Sequence, residues 1–339
     1  DCQIRNVWTG IAGNHIRSFN SRGMVAIKDK EVTATDVARV IETARAVNIP
    51  TDQQLLHTIP QEFIVDNQED VREPIGMSGV RLEVKVHIVT GAVSAVQNVI
   101  KCVRRCGLEV TDWILQGRAS ADAVLTADEK ELGVVLVDIG GGTTDVAIFT
   151  EGAIRHTTVL PIGGDQITND IAMALRTPTA EAEEIKVLYG VAKQVLADPG
   201  ETFDVPGLGD RGPRALSRQA LAAVIEPRFE QLFSLVHQVV RESGFEEVLS
   251  SGIVITGGSA LMPGMCELAE DIFLKPARVG EPDYHGQLTD VVRSPRYATV
   301  LGLLMEAKRQ YLRGQVVTRH GGSAKALWER MKEWFLGNF

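Results

Sequence analysis

The spacing of apolar positions changes period several times along the chain, and these changes mark its elements. Val134-Val135-Leu136-Val137 is a β-branched apolar run suited to a buried strand, and it ends in Asp138. Gly140-Gly141-Gly142 follow, then Val146, Ile148 and Phe149 resume a strand pattern, so the unit reads as strand, glycine turn, strand. From 80 to 89 the chain alternates strictly, with Leu82, Val84, Val86 and Ile88 apolar, which predicts a half-buried strand. Elsewhere the period is helical. Val37, Val40, Ile41 and Ala44 predict a helix over 36–47, capped by Thr33 or Thr35. Val93, Val96, Val99, Ile100 and Val103 predict a second, closed by Gly107.

The remaining segments fill in between. Residues 1–13 read as one strand. Within 14–90, short strands are expected at 24–27, at 55–59 (stopped by Pro60) and at 63–65, giving a small α+β module. A strand over 108–115, a short helix over 119–125 and a loop over 126–132 lead to the glycine hairpin. A third strand over 154–159 ends near Pro161; Asp165 is expected to cap a helix over 167–175, and the Gly163-Gly164 pair before it suits an anion. The helix over 179–189 is closed by Gly190 and puts Glu183 and Lys186 on one face. Pro227 is expected to start a long helix over 228–242 with Phe229, Leu232, Phe233, Val236, Val239 and Val240 on its apolar face. A buried strand over 252–256 runs into Gly257-Gly258-Ser259, and a helix begins at Pro263. Gly302, inside a final helix over 296–307, predicts close packing against another element.

Composition narrows the classes. A chain of 339 residues, 44% hydrophobic and 23% charged, has the prior of two domains with substantial cores. A net charge of −9 implies no domain-wide basic surface and argues against nucleic-acid binding. Four cysteines, two of them isolated, form neither a disulfide framework nor a zinc pattern, which fits a reduced, cytosolic setting. No run reaches the ~18 apolar residues of a transmembrane helix, and no signal peptide is evident. The chain opens Asp1-Cys2-Gln3, without Met, so a natural N-terminus is expected to be missing. The tail differs in kind. Lys308, Arg309, Arg313, Arg319 and Lys325 are basic, Gly321-Gly322-Ser323 form a joint, and Leu327, Trp328, Met331, Trp334 and Phe335 share one helical face. A Trp-bearing helix behind a basic linker suits an anionic membrane surface.

The candidate chemistry lies at the hairpin. Gly140, Gly141 and Gly142 permit positive φ and close approach of the backbone, and successive N–H groups at such a tip can form an anion nest. Thr143, Thr144 and Asp145 add hydroxyls and a carboxylate, and Asp138 would hold Mg²⁺ through water. A Walker loop is excluded because no GK[ST] follows, and a Rossmann fingerprint because no helix opens here. His57 and His87, alone on strand-like runs, read as structural.

These motifs together carry a resemblance. The hairpin at 138–145, GGD at 163–165, AEEIK at 182–186 and TGGSALMPG at 256–264 resemble the actin-like ATPase superfamily. LLHTIPQEFIVD at 55–66, SGVRLEVKVHIVT, KCVRRCGL and VIEPR extend the likeness to the FtsA family of bacterial division proteins over essentially the whole chain. The resemblance implies an α/β actin-like fold of duplicated ribonuclease-H-like cores with an inserted α+β subdomain. Subdomain 1C would be 14–90, the remainder of 1A 1–13 and 91–131, 2A 132–176 and 246–306, and 2B 177–245, with the basic linker and helix at 307–339. It implies ATP and Mg²⁺, with Asp138, Gly140, Gly141, Gly142, Thr143 and Thr144 as the second phosphate loop. Gly163, Gly164 and Asp165 would lie beside it; Glu183 and Lys186 would face ribose and base; and Gly257, Gly258, Ser259 and Met262 would form the adenosine motif. It also implies a docking site for the FtsZ C-terminal tail near Arg228 and Phe229, self-association into filaments, anionic lipids as a partner of the tail, and a place at the cytoplasmic face of the inner membrane. The family's first phosphate loop is absent from this sequence, which predicts poor nucleotide affinity. No general base is evident, although Gln116 lies near the expected position, so at most a weak ATPase is expected. A PilM-like pilus-assembly protein and a small-molecule kinase are the alternatives. The tail argues against both, and the lack of a catalytic cluster in 14–90 against the second.

Overall fold

The computed structural model describes residues 4–207, 212–286 and 288–312. Strand β1 (Asn6–Ile11) leads into the inserted module: β2 (Arg17–Ala26), α1 (Ala34–Arg45), β3 (Gln53–Val65), β4 (Gln68–Val71) and β5 (Arg81–Ala92). The chain returns through α2 (Val93–Arg105) to β6 (Glu109–Leu115), which pairs parallel with β1, then forms α3 (Gln116–Val124) and α4 (Ala127–Leu132). The larger core follows with β7 (Val134–Ile139), β8 (Thr144–Thr150), β9 (Ala153–Leu160), α5 (Gly164–Leu175) and α6 (Thr179–Tyr189). The ribbon β10 (Thr202–Val205) and β11 (Arg214–Ser217) precedes α7 (Arg218–Ser243), β12 (Ile253–Thr256), α8 (Met265–Phe273), β13 (Ala277–Val279), α9 (Thr289–Val292) and α10 (Ala298–Leu312).

The sheet of the larger core has the order β13-β12-β7-β8-β9. Its alternating residues divide between two layers. Val135, Val137, Ile139, Val146 and Ile148 face α5, α7 and α8, where they meet Ile167, Ile171, Phe229, Phe233 and Leu268. Val134, Leu136, Ala147, Phe149 and Val254 face α3 and α10, against Ala121, Ala123 and Leu301. Both faces are covered, which explains why β7 reads as an unbroken apolar run. The close packing expected at Gly302 is present: a Cβ there would lie 1.8 Å from the Ala119 carbonyl oxygen of α3.

The module is an antiparallel sheet of order β2-β5-β3-β4 carrying α1 on one face. Leu82, Val84, Val86 and Ile88 alternate inward as predicted and pack with Val40 and Ala44. The module also meets the free edge of β9. Ser18 Oγ donates to Thr157 O (2.7 Å), Asn20 Nδ2 to Arg155 O (3.4 Å) and Gln61 Nε2 to Ile154 O (2.8 Å). His87 sits behind this seam with Nδ1 2.8 Å from Asn20 Oδ1 and Nε2 2.9 Å from Thr157 Oγ1. The amide oxygen can only accept, so Nδ1 carries the proton and Nε2 accepts from the threonine hydroxyl. Burial, and then His156, push its pKa down to about 4, so the ring is neutral and structural. His57 is structural too, accepting the Leu115 N–H at Nε2.

Four local expectations need correction. Strand β3 runs through Pro60, because β4 joins only from Phe63 and a register shift falls between Pro60 and Glu62, so the missing N–H leaves no central ladder broken. Residues 127–132 are helical rather than loop, started by a capping box between Thr126 and Glu129. Helix α7 starts at Arg218, capped by Ser217, and continues through Pro227. Pro227 and Ala223, whose carbonyl loses its partner, are both on the exposed side, while Leu221, Ala222, Ile225, Phe229 and Leu232 keep one continuous buried face. Finally, Gly163 rather than Asp165 caps α5, with the Gln166 side chain accepting the Gly163 N–H.

Candidate functional site

The glycine loop 140–143 joins β7 to β8 and is closed by Gly140 N donating to Thr143 O (2.9 Å). Gly140, Gly141 and Gly142 are not among the positive-φ residues, so positive φ is not what requires glycine here. Close approach is. A Cβ on Gly163 would fall 2.4 Å from Gly141 O and 2.6 Å from Gly140 O. At this contact Gly164 N donates to Gly140 O (2.9 Å) and Asp165 N to Gly141 O (2.8 Å). The first N–H groups of α5 therefore brace the loop and are not open to an anion, contrary to the expectation for Gly163-Gly164. The N–H groups of Gly141, Gly142 and Thr143 have no hydrogen-bond acceptor among the described residues. Thr144 is buried and donates to Ile162 O (2.7 Å), so its hydroxyl is structural.

Asp138 and Asp145 face each other across the β7–β8 ladder, and both are buried. Asp138 Oδ2 accepts from Ser120 of α3 and from Thr299 of α10 (3.2 Å), which ties the sheet end to both helices. Asp145 Oδ1 is buried without a partner. Burial, and then the Asp138 charge, push Asp145 up to about 8; burial also raises Asp138 against the hydrogen bonds from Ser120 and Thr299. Two apposed buried carboxyls are held in acid-rich surroundings that a cation or a proton must relieve.

Above the loop is a pocket of about 220 Å³. It is lined by Gly140, Gly141, Gly164, Gly258 and Ser259, by the apolar residues Val187, Leu261, Met262 and Pro263 with Gly190, and by Glu183, Lys186 and Arg296. The positive φ of Gly257 (87°) lets β12 turn against β7, where a Cβ would lie 2.4 Å from Ile139 O. Gly190 admits Met262: a Cβ there would be 2.8 Å from Met262 Cε. Of the predicted ligand residues, Gly140, Gly141, Gly164, Glu183, Lys186, Gly258, Ser259 and Met262 line this pocket. Asp138, Gly142, Thr143, Thr144, Gly163, Asp165 and Gly257 do not line it; several of them shape the loop beneath. Glu183 and Lys186 pair at 2.7 Å. Burial opposes the Glu183 charge, but Lys186 and Thr168 outweigh it and hold the carboxyl below its usual range. Lys186 Nζ also donates to Thr168 Oγ1 (2.8 Å) and Gly164 O (3.1 Å). Val187, Gly190, Leu261, Pro263 and Arg296 were not anticipated as lining; Leu261 and Pro263 lie inside the TGGSALMPG motif, whereas Arg296 belongs to no motif.

This pocket and fold can be set beside known proteins. The profile of the family described as "Cell division protein FtsA" matches residues 135–302, and that of the "SHS2 domain inserted in FTSA" matches 13–90. The cell division protein FtsA of Pseudomonas aeruginosa is 59% identical over 344 residues, covering 100% of this chain and 82% of that protein. The chain belongs to the FtsA family of cell division proteins. The FtsA proteins of Neisseria meningitidis serogroup B and Escherichia coli K12 are 52% and 42% identical, each over 100% of this chain and 83% of its own length. Among solved structures, the PilM–PilN type IV pilus biogenesis complex superposes with a TM-score of 0.61 at 18% identity, covering 89% of this chain and 79% of that one. MreB5 of Spiroplasma citri bound to ADP gives 0.54 at 18% identity, covering 66% and 68%. These neighbours establish the actin-like fold expected from the sequence.

The FtsA-type tail site reads differently at its two expected residues. Phe229 is 0% exposed and packs on Phe233 in the core, so it cannot touch a partner; the amphipathic face that suggested it is the buried face of α7. Arg228, the next residue round the helix, is accessible and holds Asp170 of α5 through Nε (2.6 Å) and Nη2 (2.9 Å). Leu327, Trp328, Met331, Trp334 and Phe335 lie outside the described residues.

Proposed function

We propose that this FtsA-family chain binds ATP with Mg²⁺ in the pocket above the glycine loop and acts as a membrane adaptor for the FtsZ ring. One observation carries the reading: four separate segments, at 140–141, 164, 183–186 and 258–262, converge on one pocket that combines apolar lining with a free loop N–H group at Gly141. That layout suits a base and its phosphates. The MreB5 neighbour on this fold carries ADP, which makes ADP a natural probe.

The apposed buried carboxyls of Asp138 and Asp145 support a divalent cation beside them. Asp138 would hold Mg²⁺ chiefly through water and ligand phosphates, as that ion prefers, and the ion would offset phosphate charge. Gly141, Gly142 and Thr143 would offer backbone N–H groups to phosphate. Val187 and Met262 would flank the base, and Glu183 would be available to the ribose. The FtsZ C-terminal tail would dock near Arg228, copies of the chain would self-associate, and the apolar stripe of Leu327, Trp328, Met331, Trp334 and Phe335 would hold anionic lipid at the cytoplasmic face of the inner membrane. Family membership supports this reading over the pilus-assembly and kinase alternatives.

The experiment is calorimetric titration of the full chain with ATP, with and without Mg²⁺. Saturable binding that strengthens with Mg²⁺ is expected; absence of binding at millimolar ATP would overturn the nucleotide assignment.

A further inference from the structure

We infer that Arg296 is the cation that meets the polyphosphate of a nucleotide in this pocket. The inference rests on the nucleotide reading above and adds a residue to it. An ammonium group has three N–H donors. Those of Lys186 are all taken, by Glu183, Thr168 and Gly164 O, and its charge is matched by Glu183. The pair therefore brings no net charge to a ligand. An acid nearby opposes an anion: Asp165 Oδ1 would lie 3.1 Å from a Cβ on Gly141. Beside a bound cation, a polyphosphate entering this pocket is favoured by a positive side chain that is not already committed.

Arg296 is that group. It is an exposed residue in the wall of the pocket, and no hydrogen bond or ion pair engages its guanidinium among the described residues. Neighbouring Arg293, by contrast, is paired with Glu281. The backbone under Arg296 is anchored. It forms a 3₁₀ turn, Pro295–Tyr297, at the entry to α10, with Tyr297 N donating to Ser294 O (2.9 Å). Pro295 is buried, and its carbonyl lies 3.4 Å from Thr256 Oγ1 at the end of β12, whose hydroxyl donates chiefly to Gly280 O (2.8 Å). The turn thus packs beside the end of β12 and the 258–261 turn that follows it, which holds the backbone of Arg296 next to the second glycine motif. A planar guanidinium can engage two phosphate oxygens at once, which an ammonium cannot.

The test compares ADP with adenosine on the full chain, for wild type, Arg296→Gln and Arg296→Lys, by calorimetry at several salt concentrations. The wild type is expected to bind ADP; Arg296→Gln is expected to bind it about tenfold more weakly, with a shallower salt dependence, and to bind adenosine unchanged. Arg296→Lys is expected to fall between the two. Equal ADP affinity in wild type and Arg296→Gln overturns the inference and leaves the nucleotide reading standing. An equal loss for ADP and adenosine also overturns it, since the residue would then act on the nucleoside. A wild type that binds neither ligand overturns both readings. If Arg296→Gln fails to fold, Arg296→Lys decides: unchanged ADP affinity and unchanged salt dependence in it count against the inference.

Discussion

Replacing Gly163 by alanine tests the contact that shapes the loop. Its φ of −159° is open to any residue, so the whole effect comes from the added methyl group. That Cβ would meet Gly141 O at 2.4 Å and Gly140 O at 2.6 Å, where atoms need at least 3.0 Å, and both neighbours are backbone. Either the loop or the start of α5 must move by several tenths of an ångström. The movement strains the two hydrogen bonds made there, Gly164 N to Gly140 O and Asp165 N to Gly141 O. Losing both costs about 1–3 kcal/mol, and alanine is the poorer N-cap by about 1 kcal/mol. The expected destabilisation is about 2–4 kcal/mol, a large part of the ~5–15 kcal/mol typical of a folded domain. Urea unfolding followed by circular dichroism measures it, with Gly258→Ala as the control because a Cβ there meets nothing within 4 Å. A Gly163→Ala midpoint that matches the control would refute the argument that close approach, rather than φ, selects glycine at this position.

Gly302→Ala should destabilise by about 1–3 kcal/mol or more through overpacking, because the methyl would lie 1.8 Å from Ala119 O; a thermal midpoint within error of wild type would contradict the α3–α10 contact. Asp145 gives a pH dependence. Its carboxyl is at about 8 in the folded protein against 3.8 ordinarily, so the folded state holds the extra proton and stability declines as pH rises from about 4 to about 8. Asp145→Asn should flatten that decline, seen in thermal midpoints across the range; a parallel profile would argue against a buried, protonated Asp145. Arg228→Glu would set a second carboxylate beside Asp170 and should weaken binding of an FtsZ C-terminal peptide about tenfold, leaving vesicle binding intact; equal peptide affinity removes this residue from the site. Trp328→Glu with Trp334→Glu should abolish sedimentation with anionic vesicles, and retained binding would contradict the membrane role of the tail.

Local sequence made some of this plain and concealed the rest for physical reasons. The β7–β8 hairpin was legible because strand period and glycine run coincide within sixteen residues, 134–149. Helix α4 carries Thr126 and Glu129 at capping-box spacing, but it is six residues long and has no buried residue, so no apolar period marks it in the sequence. Pro227 misled because a proline's cost depends on whether its i−4 carbonyl can reach water, and a linear pattern does not display that. The fate of the first N–H groups of α5 depends on two carbonyls more than twenty residues upstream, at 140 and 141, so no local motif encodes it. The apolar face that carries Phe229 is core, and apolar period alone does not separate a buried face from a docking face, while Arg296 belongs to no motif and reaches the pocket only because the end of β12 and the start of α10 meet.

The seam between the inserted module and β9 has a consequence for how copies of this chain can meet. Ser18, Asn20 and Gln61 occupy carbonyls along the outer edge of the five-stranded sheet. At the opposite edge β13 is only three residues long, and Arg278 ties it to Glu129 and to Val124 O. Neither border offers a long row of open peptide groups on which another strand could grow. Copies that met at these two borders would do so through side-chain surfaces rather than by extending the sheet, and contacts of that kind respond to salt and concentration.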